Sequence, residues 1–296
     1  MFLRQLEYLT ALARERHFGR AAEACHVSQP ALSVGLRKLE RELGVELVQR
    51  GQRYDDLTPA GRALLPWAQR ALAGVDGLAS EAAALTSELG GRLRLGVIPT
   101  ALPAVSLITD SLLRRHPAVR VEIRALSSIE IGHQLETHGI DAGVTYLDNE
   151  PLGKVSATPI YAERYVFLTA ADHDGDTIGW AALDGASLCL LTPEMQNRRI
   201  VDAALASSGA KATARIETNS ISALLSYARA GWSCVVSHAW LSLYGIPSGM
   251  RKLALTAPEV SHTIGLVHPK TDLVQPAVRA LLDELAGADL SLALAR

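Results

Sequence analysis

The sequence predicts three units in series: an α-rich helix-turn-helix module, a long linker helix, and an α/β module of two lobes. Three observations carry this. HVSQPALSVGLRKLERELG at 26–44 sets a proline into the opening of an amphipathic helix, the residues from Leu64 to Leu89 repeat apolar side chains at alternating spacings of four and three, and strand-like runs alternate with helical ones after residue 91.

A proline costs about 3 kcal/mol in a helix interior and little in the first turn, where the N–H groups lack intrahelical partners. The helix therefore begins just before Pro30, with Ser28 as N-cap and Gln29 and Pro30 as its first positions. Leu32, Leu36, Leu39 and Leu43 form the apolar stripe, and Gln29, Ser33, Arg37 and Lys38 form the opposite face. Upstream, FGRAAEAC at 18–25 reads as a short helix whose alanines permit close crossing, and only His26 and Val27 separate it from the cap. Two helices joined so tightly make a helix-turn-helix, whose second helix offers its first turn to the DNA major groove. Gln29 can pair with adenine, Pro30 can pack on a thymine methyl, Ser33 can donate or accept, and Arg37 can reach guanine or phosphate. An ordinary solvated helix face has the same periodicity.

AAEACHVSQPALSVGLRKLERELGVELVQR, followed by LTPAG at 57–61, resembles the N-terminal signature of the LysR-type transcriptional regulators. The matching positions are Ala21 and Ala22, Val27 to Ser33, Leu39 and Glu40, Leu43 and Gly44, and Arg50. The resemblance implies a winged helix-turn-helix over 1–58. Its expected DNA contacts are Ser28, Gln29, Pro30, Ser33, Arg37 and Lys38, with Arg50 and Arg53 at the wing. Val48 stands where the family commonly has phenylalanine, thinning a hydrophobic contact. Asp55 and Asp56 make the wing more acidic than usual, weakening its attraction for phosphate.

Residues 59–89 read as the linker helix, capped by Thr58. Leu64, Ala68, Ala71, Val75, Leu78, Ala82, Leu85 and Leu89 form a heptad seam, and about 46 Å of helix at 1.5 Å per residue outruns what a small N-terminal domain can cover. A core helix of a single domain rarely holds a 3.5 period so far, so a dimerisation helix is expected. Pro66 and the glycines at 61, 74 and 77 soften it. The family resemblance also implies subunit pairing through this helix, and the expected assembly is a homotetramer acting as a gene activator.

Residues 90–296 are expected to form the effector domain. RLRLGVIP, VRVEIRAL, IDAGVTYL, YVFLTAAD, SLCLLTP, ARIET, SCVVSHA and SHTIGLVH read as strands between helical segments, giving mainly parallel sheets. This fits the bilobed periplasmic-binding-protein-like domain that the resemblance implies. Lobe I is expected at about 90–162 and 267–296 and lobe II at about 163–266, with crossovers near 161–164 and 262–267. Ligands of open α/β sheets sit at strand carboxyl ends, where helix N-termini point their free N–H groups. The effector-binding candidates are therefore Thr100, Ser128, Gln196, Asn197, Thr218, Asn219 and Ser237, each of which could instead simply cap a helix. Arg198 and Arg199 lie in a first helical turn, where the dipole disfavours cations. A small carboxylate ligand would compensate them, and so would Glu194 or Asp202. TPEMQNRRIVD is also similar to regulators found beside formate dehydrogenases, which makes formate or another small anion the implied effector.

The 48% hydrophobic and 20% charged composition fits a soluble globular protein. No apolar run is long enough to span a membrane and no signal segment is evident, so the expected location is the cytoplasm. Net charge is −2, but residues 1–65 hold ten Lys or Arg against eight Asp or Glu. Such weak basicity makes oligomeric assembly the expected source of DNA affinity. Cys25, Cys189 and Cys234 are too dispersed for a zinc site. In this family a redox sensor would use the pair at 189 and 234, whereas buried free cysteine usually acts as a small hydrophobe. GxSxG, P-loop, GxGxxG, HExxH and CxxC motifs are lacking, so no enzyme chemistry, cofactor or metal is expected. A two-lobed solute-binding protein is the competing reading, and it leaves residues 1–89 unexplained.

Overall fold

The computed structural model describes residues 2–50, 54–85, 89–148, 150–271 and 273–286. Three helices, α1 (Leu3–Glu15), α2 (Phe18–Ala24) and α3 (Gln29–Leu43), precede a hairpin of β1 (Val48–Arg50) and β2 (Tyr54–Leu57). Ser28 caps α3 as expected, its hydroxyl accepting from the Ala31 N–H at 3.3 Å. His26 adopts a left-handed φ of 54°, which turns the chain between α2 and α3. Leu32, Leu36 and Leu39 are fully buried, whereas Leu43, expected in the same stripe, is 40% exposed. The reason is positional: Leu43 is the last helical residue, and Gly44 at φ 70° ends the turn there. The Glu40 carboxylate accepts from the N–H groups of Leu47 and Val48 at 3.0 and 3.2 Å, tying α3 to the start of the hairpin.

Helix α4 (Pro59–Leu85) begins on Thr58, whose hydroxyl accepts from the Gly61 N–H at 2.9 Å. A Cβ on Gly61 would lie 2.1 Å from the Leu47 carbonyl oxygen, so this helix start packs against the hairpin only with glycine there. Of the expected seam, Ala68 is buried against α1–α3, while Val75, Leu78 and Leu85 are 40%, 72% and 82% exposed. Leu89 follows the helix and packs on the α/β core. Arg70 Nε donates to His138 Nε2 at 3.2 Å and Glu81 pairs with Arg279, so α4 also touches the C-terminal domain.

That domain holds two sheets joined through one strand. In the first, β4 (Val119–Ala125), β3 (Gly91–Val97) and β5 (Ala142–Tyr146) run parallel, and β12 (Ser261–Pro269) pairs antiparallel with β5. The connecting helices are α5 (Val105–Arg115), preceded by a 3-10 turn at Pro99–Ala104, and α6 (Ser128–Glu136). In the second, β9 (Thr213–Thr218), β8 (Ser187–Leu191) and β10 (Cys234–Ser237) run parallel. Helices α7 (Gln196–Ser207) and α8 (Ile221–Arg229) connect them, and α9 (His238–Tyr244) follows. A short pair, β7 (Thr177–Gly179) and β11 (Arg251–Thr256), lies on the other side, and α10 (Pro276–Ala286) ends the described chain.

Strand β6 (Val155–Thr169) belongs to both sheets. Its Val155–Arg164 stretch pairs with β12, and its Tyr165–Thr169 end pairs with β10 and β11. The first crossing thus falls at 164–165, beside the expected 161–164. The second lies at 257–260 rather than 262–267, because those residues are already inside β12 and paired with β5 and β6. The sequence reading began this strand at Tyr165, ten residues late. Pro159 and the polar residues of VSATPIYAER obscure its pattern, and the register shift between Ile264 and Gly265 of β12 absorbs the irregularity.

Candidate functional site

Two surfaces gather the residues singled out by the sequence. On α3, Gln29, Pro30, Arg37 and Lys38 are exposed and Ser33 is half-buried, on the side opposite the leucines. Val34, 58% exposed, joins this face. Lys38 Nζ sits 4.7 Å above the Phe2 ring, which holds its side chain along α1. Asp56, expected to weaken the wing's hold on phosphate, accepts from Arg62 at 2.8 Å and is neutralised there. Arg53 lies outside the described residues. The backbone places Arg50 at the end of β1.

The second surface is a cleft between the lobes. Thr100, Ser128, Gln196 and Asn197 come together there, with Ser127, Tyr146 and the apolar side chains of Ile98, Pro99, Leu191 and Met195. The enclosed space is about 10 Å³, room for one water. Thr100 follows β3, Ser127 caps α6 in a capping box with Glu130, and Gln196 and Asn197 open α7. Tyr146 ties the two sides. Its hydroxyl lies 3.4 Å from Thr100 Oγ1, accepts from Asn197 Nδ2 at 3.3 Å, and donates to Glu163 on β6. Burial pushes the Tyr146 phenol well above its ordinary range, with the nearby Glu163 charge adding to it.

Three expected ligand positions fall elsewhere. Thr218 and Asn219 are not among the residues that line the cleft, although Thr218 is paired with Leu191, which does line it. Thr218 Oγ1 accepts from the Ser220 N–H at 3.1 Å, and Ser220 caps α8, so this segment is a helix start. Ser237 is buried behind the cleft wall, beside Glu163.

The two arginines of α7 have protein partners. Arg198 pairs with Asp202 at 2.9 Å and Glu217 at 2.7 Å, and its guanidinium also donates to the Leu191 carbonyl. Arg199 pairs with Glu150 through two hydrogen bonds of 2.7 and 2.8 Å, and Glu150 also accepts from Ser128 Oγ. Arg199 belongs to lobe II and Glu150 to the loop after β5, so the pair bridges the lobes beside the cleft. The dipole penalty that suggested a carboxylate ligand is met by these acids.

Sequence reasoning missed Tyr146, Glu163, Tyr165 and Glu150. A signal for Glu163 exists: in IYAERYVFL it shares the strand parity of Tyr161, Tyr165 and Phe167, a lone charge on an inward face. Cys189 and Cys234 stand directly opposite each other on β8 and β10, both fully buried. Burial pushes the Cys189 thiol up to about 11 and Cys234 further, with Cys189 as its secondary cause. Among the described residues no group of three or more His, Cys, Asp or Glu could hold a metal ion, and no helix is long and apolar enough to cross a membrane.

Known proteins resemble this chain along its length. Residues 3–62 match the bacterial regulatory helix-turn-helix protein, lysR family, and residues 86–289 match the LysR substrate binding domain. The DNA-binding transcriptional dual regulator OxyR of Escherichia coli (strain K12) is 30% identical over 299 residues, covering 96% of each chain. A probable hydrogen peroxide-inducible genes activator of Mycobacterium xenopi is 38% identical over 169 residues, 57% of this chain and 89% of that protein. Among solved structures, a cysteine-to-aspartate variant of full-length OxyR from Pseudomonas aeruginosa superposes with a TM-score of 0.77 at 29% identity, covering 99% and 97%. CbnR, a LysR family transcriptional regulator, shares the fold with a TM-score of 0.70 at 21% identity, covering 97% and 99%. A solute-binding protein without a DNA-binding module is thereby set aside: the chain belongs to the LysR family of bacterial helix-turn-helix regulators.

Proposed function

We propose that the protein is an effector-responsive LysR-type regulator that reads promoter DNA with α3 and senses a small molecule between its two lobes. The observation that carries this is the division of α3: Leu32, Leu36 and Leu39 are fully buried while Gln29, Pro30, Arg37 and Lys38 face outward from a serine-capped first turn. A second such helix, supplied by a partner subunit paired along α4, would give two half-site contacts. Oligomers up to a tetramer are the assembly this reading expects. Effector binding shifts the placement of the lobes, and with it the spacing and bend that the assembly imposes on DNA.

Electrophoretic mobility shift on a promoter fragment against random duplex tests the DNA half. Gln29→Ala with Ser33→Ala reduces the preference between the two by roughly tenfold, about 1–3 kcal/mol per good base contact. Equal affinity of wild-type protein for both duplexes refutes it. Thr100→Val abolishes the effector response and leaves DNA affinity unchanged.

A thiol-based reading has one observation in its favour, the direct opposition of Cys189 and Cys234 on adjacent strands. Oxidation by peroxide needs a thiolate that solvent reaches. Both thiols are buried and held protonated, which favours the cleft as the sensing element.

A further inference from the structure

Behind the cleft residues lies a buried acid. Glu163 is fully buried on β6, directly opposite His262 of β12, whose Nδ1 is 3.1 Å from Asp148 Oδ1. Its Oε1 accepts from Tyr146, and Tyr165 donates in turn to the Tyr146 hydroxyl at 3.3 Å. Glu163 forms no ion pair among the described residues, and its Oε2 makes no hydrogen bond of good geometry. Burial raises its carboxyl above the ordinary range, even though Tyr146, Ser237, Tyr165 and Asn197 lie near enough to favour the charged form. A second buried acceptor belongs to the lining of the cleft itself. Gln196 Nε2 donates to the Asp148 carbonyl at 3.2 Å, which fixes the amide orientation and leaves Oε1 unpartnered. The neighbouring cations are committed elsewhere, Arg198 to Asp202 and Glu217, and Arg199 to Glu150.

Resting on the reading of the cleft as the effector site, we propose that the effector is a small hydrogen-bond-donating cation of the primary ammonium class, selected by Glu163. The lobes must part to admit it, since the closed cleft holds about 10 Å³. Parting carries the start of α7, with Gln196 and Asn197, away from Tyr146 and Glu163 on the strands of lobe I, and the lobes then close again on the guest. The ammonium N–H groups then meet Glu163 Oε2, Gln196 Oε1 and the Thr100 hydroxyl, and its substituent packs on Ile98, Pro99, Leu191 and Met195. A carboxylate guest in the same place meets acceptors and a like charge, with Arg198 and Arg199 already paired to protein acids. Formate is therefore the wrong sign of charge for this site.

Thermal unfolding of the full chain in methylammonium chloride, with sodium chloride as the ionic control, tests the assignment beside sodium formate and sodium acetate. Methylammonium raises Tm by about 3 °C at tenfold its dissociation constant, and formate and acetate do not. Glu163→Gln, nearly isosteric and still able to accept from Tyr146, loses that shift while its own Tm stays at or above wild type. Gln196→Leu, outside the buried carboxyl contacts, reduces the shift and covers the case in which Glu163→Gln is recovered unfolded. The proposal is overturned by a formate-driven rise, by a methylammonium shift that survives Glu163→Gln and Gln196→Leu, or by the absence of any methylammonium shift. A formate rise that disappears in Thr100→Val would leave the cleft as the effector site and remove only the cationic class. A formate or methylammonium rise indifferent to Thr100 would remove the cleft as well.

Discussion

A carboxyl group moved from water to the position of Glu163 loses more solvation than its hydrogen bonds return, so the native state holds its proton more tightly than the unfolded chain does. The sign follows: this residue favours folding most below its unfolded pKa and progressively less as pH rises through its raised folded value. The groups facing it are Tyr146, Tyr161 and Tyr165, with His262 across the strand pair and Asp148 beyond. Glu163→Gln is expected to melt higher than wild type at pH 7–8, by about 2–4 °C for each kcal/mol relieved, and the gap should close towards pH 4. A gap that widens on acidification refutes the assignment. The cysteines give a second check at this scale. In native protein at neutral pH, a thiol-specific disulfide reagent should leave Cys189 and Cys234 unmodified and reach them only after denaturant is added, because neither is exposed or ionised. Ser28 and Pro30 were readable in the sequence because a helix start is decided by the residues within one turn of it. Glu163 was not, because its meaning depends on Tyr146, Asn197 and Ser237, which arrive from three other elements.

Helix α4 shows the same contrast between local and distant causes. Its four-three repeat is a property of the sequence alone, and the exposure of Val75, Leu78 and Leu85 in a single chain is what an unpaired seam looks like. Leu78→Asp should weaken dimerisation by roughly thirtyfold, about 2 kcal/mol, measured by sedimentation equilibrium. Unchanged association would assign pairing to another face. Most strands and helices of the α/β domain were legible within a few residues, since each has its own alternation or period. Exceptions have physical causes. The pair β7 and β11 rests on partner strands rather than on its own pattern, and the first half of β6 carries a proline and small polar residues that a strand tolerates where its partner β12 shifts register. The setting of Thr218 and Asn219 was hidden for a related reason: strand order within a sheet is not written in any one strand, and β9 is the edge, beside β8.

Across the whole molecule, one continuous apolar core runs through both lobes, and polar side chains bridge them beside the cleft. The Arg199–Glu150 pair, with Ser128 behind it, is the main charged bridge beside the cleft, and Asn197 to Tyr146 is the inner one. Arg199→Ala should raise hydrogen exchange at Ser127, Ser128 and Tyr146 by about fivefold, since a partly exposed pair is worth up to about 1 kcal/mol. Exchange that stays at the wild-type rate would mean the lobes are locked by other contacts.

Strand β6 limits what such loosening can achieve. A single unbroken ribbon of fifteen residues is stitched into both sheets, and Glu163 sits one residue before the point where its partners change. Two bodies that share such a ribbon cannot slide past one another without tearing ladder hydrogen bonds, so their cheapest relative motion is a twist along its axis. Whatever reaches Glu163 therefore acts at the pivot of a torsion bar, where a small push produces a change of angle that grows with distance and is largest at the far ends of the two lobes.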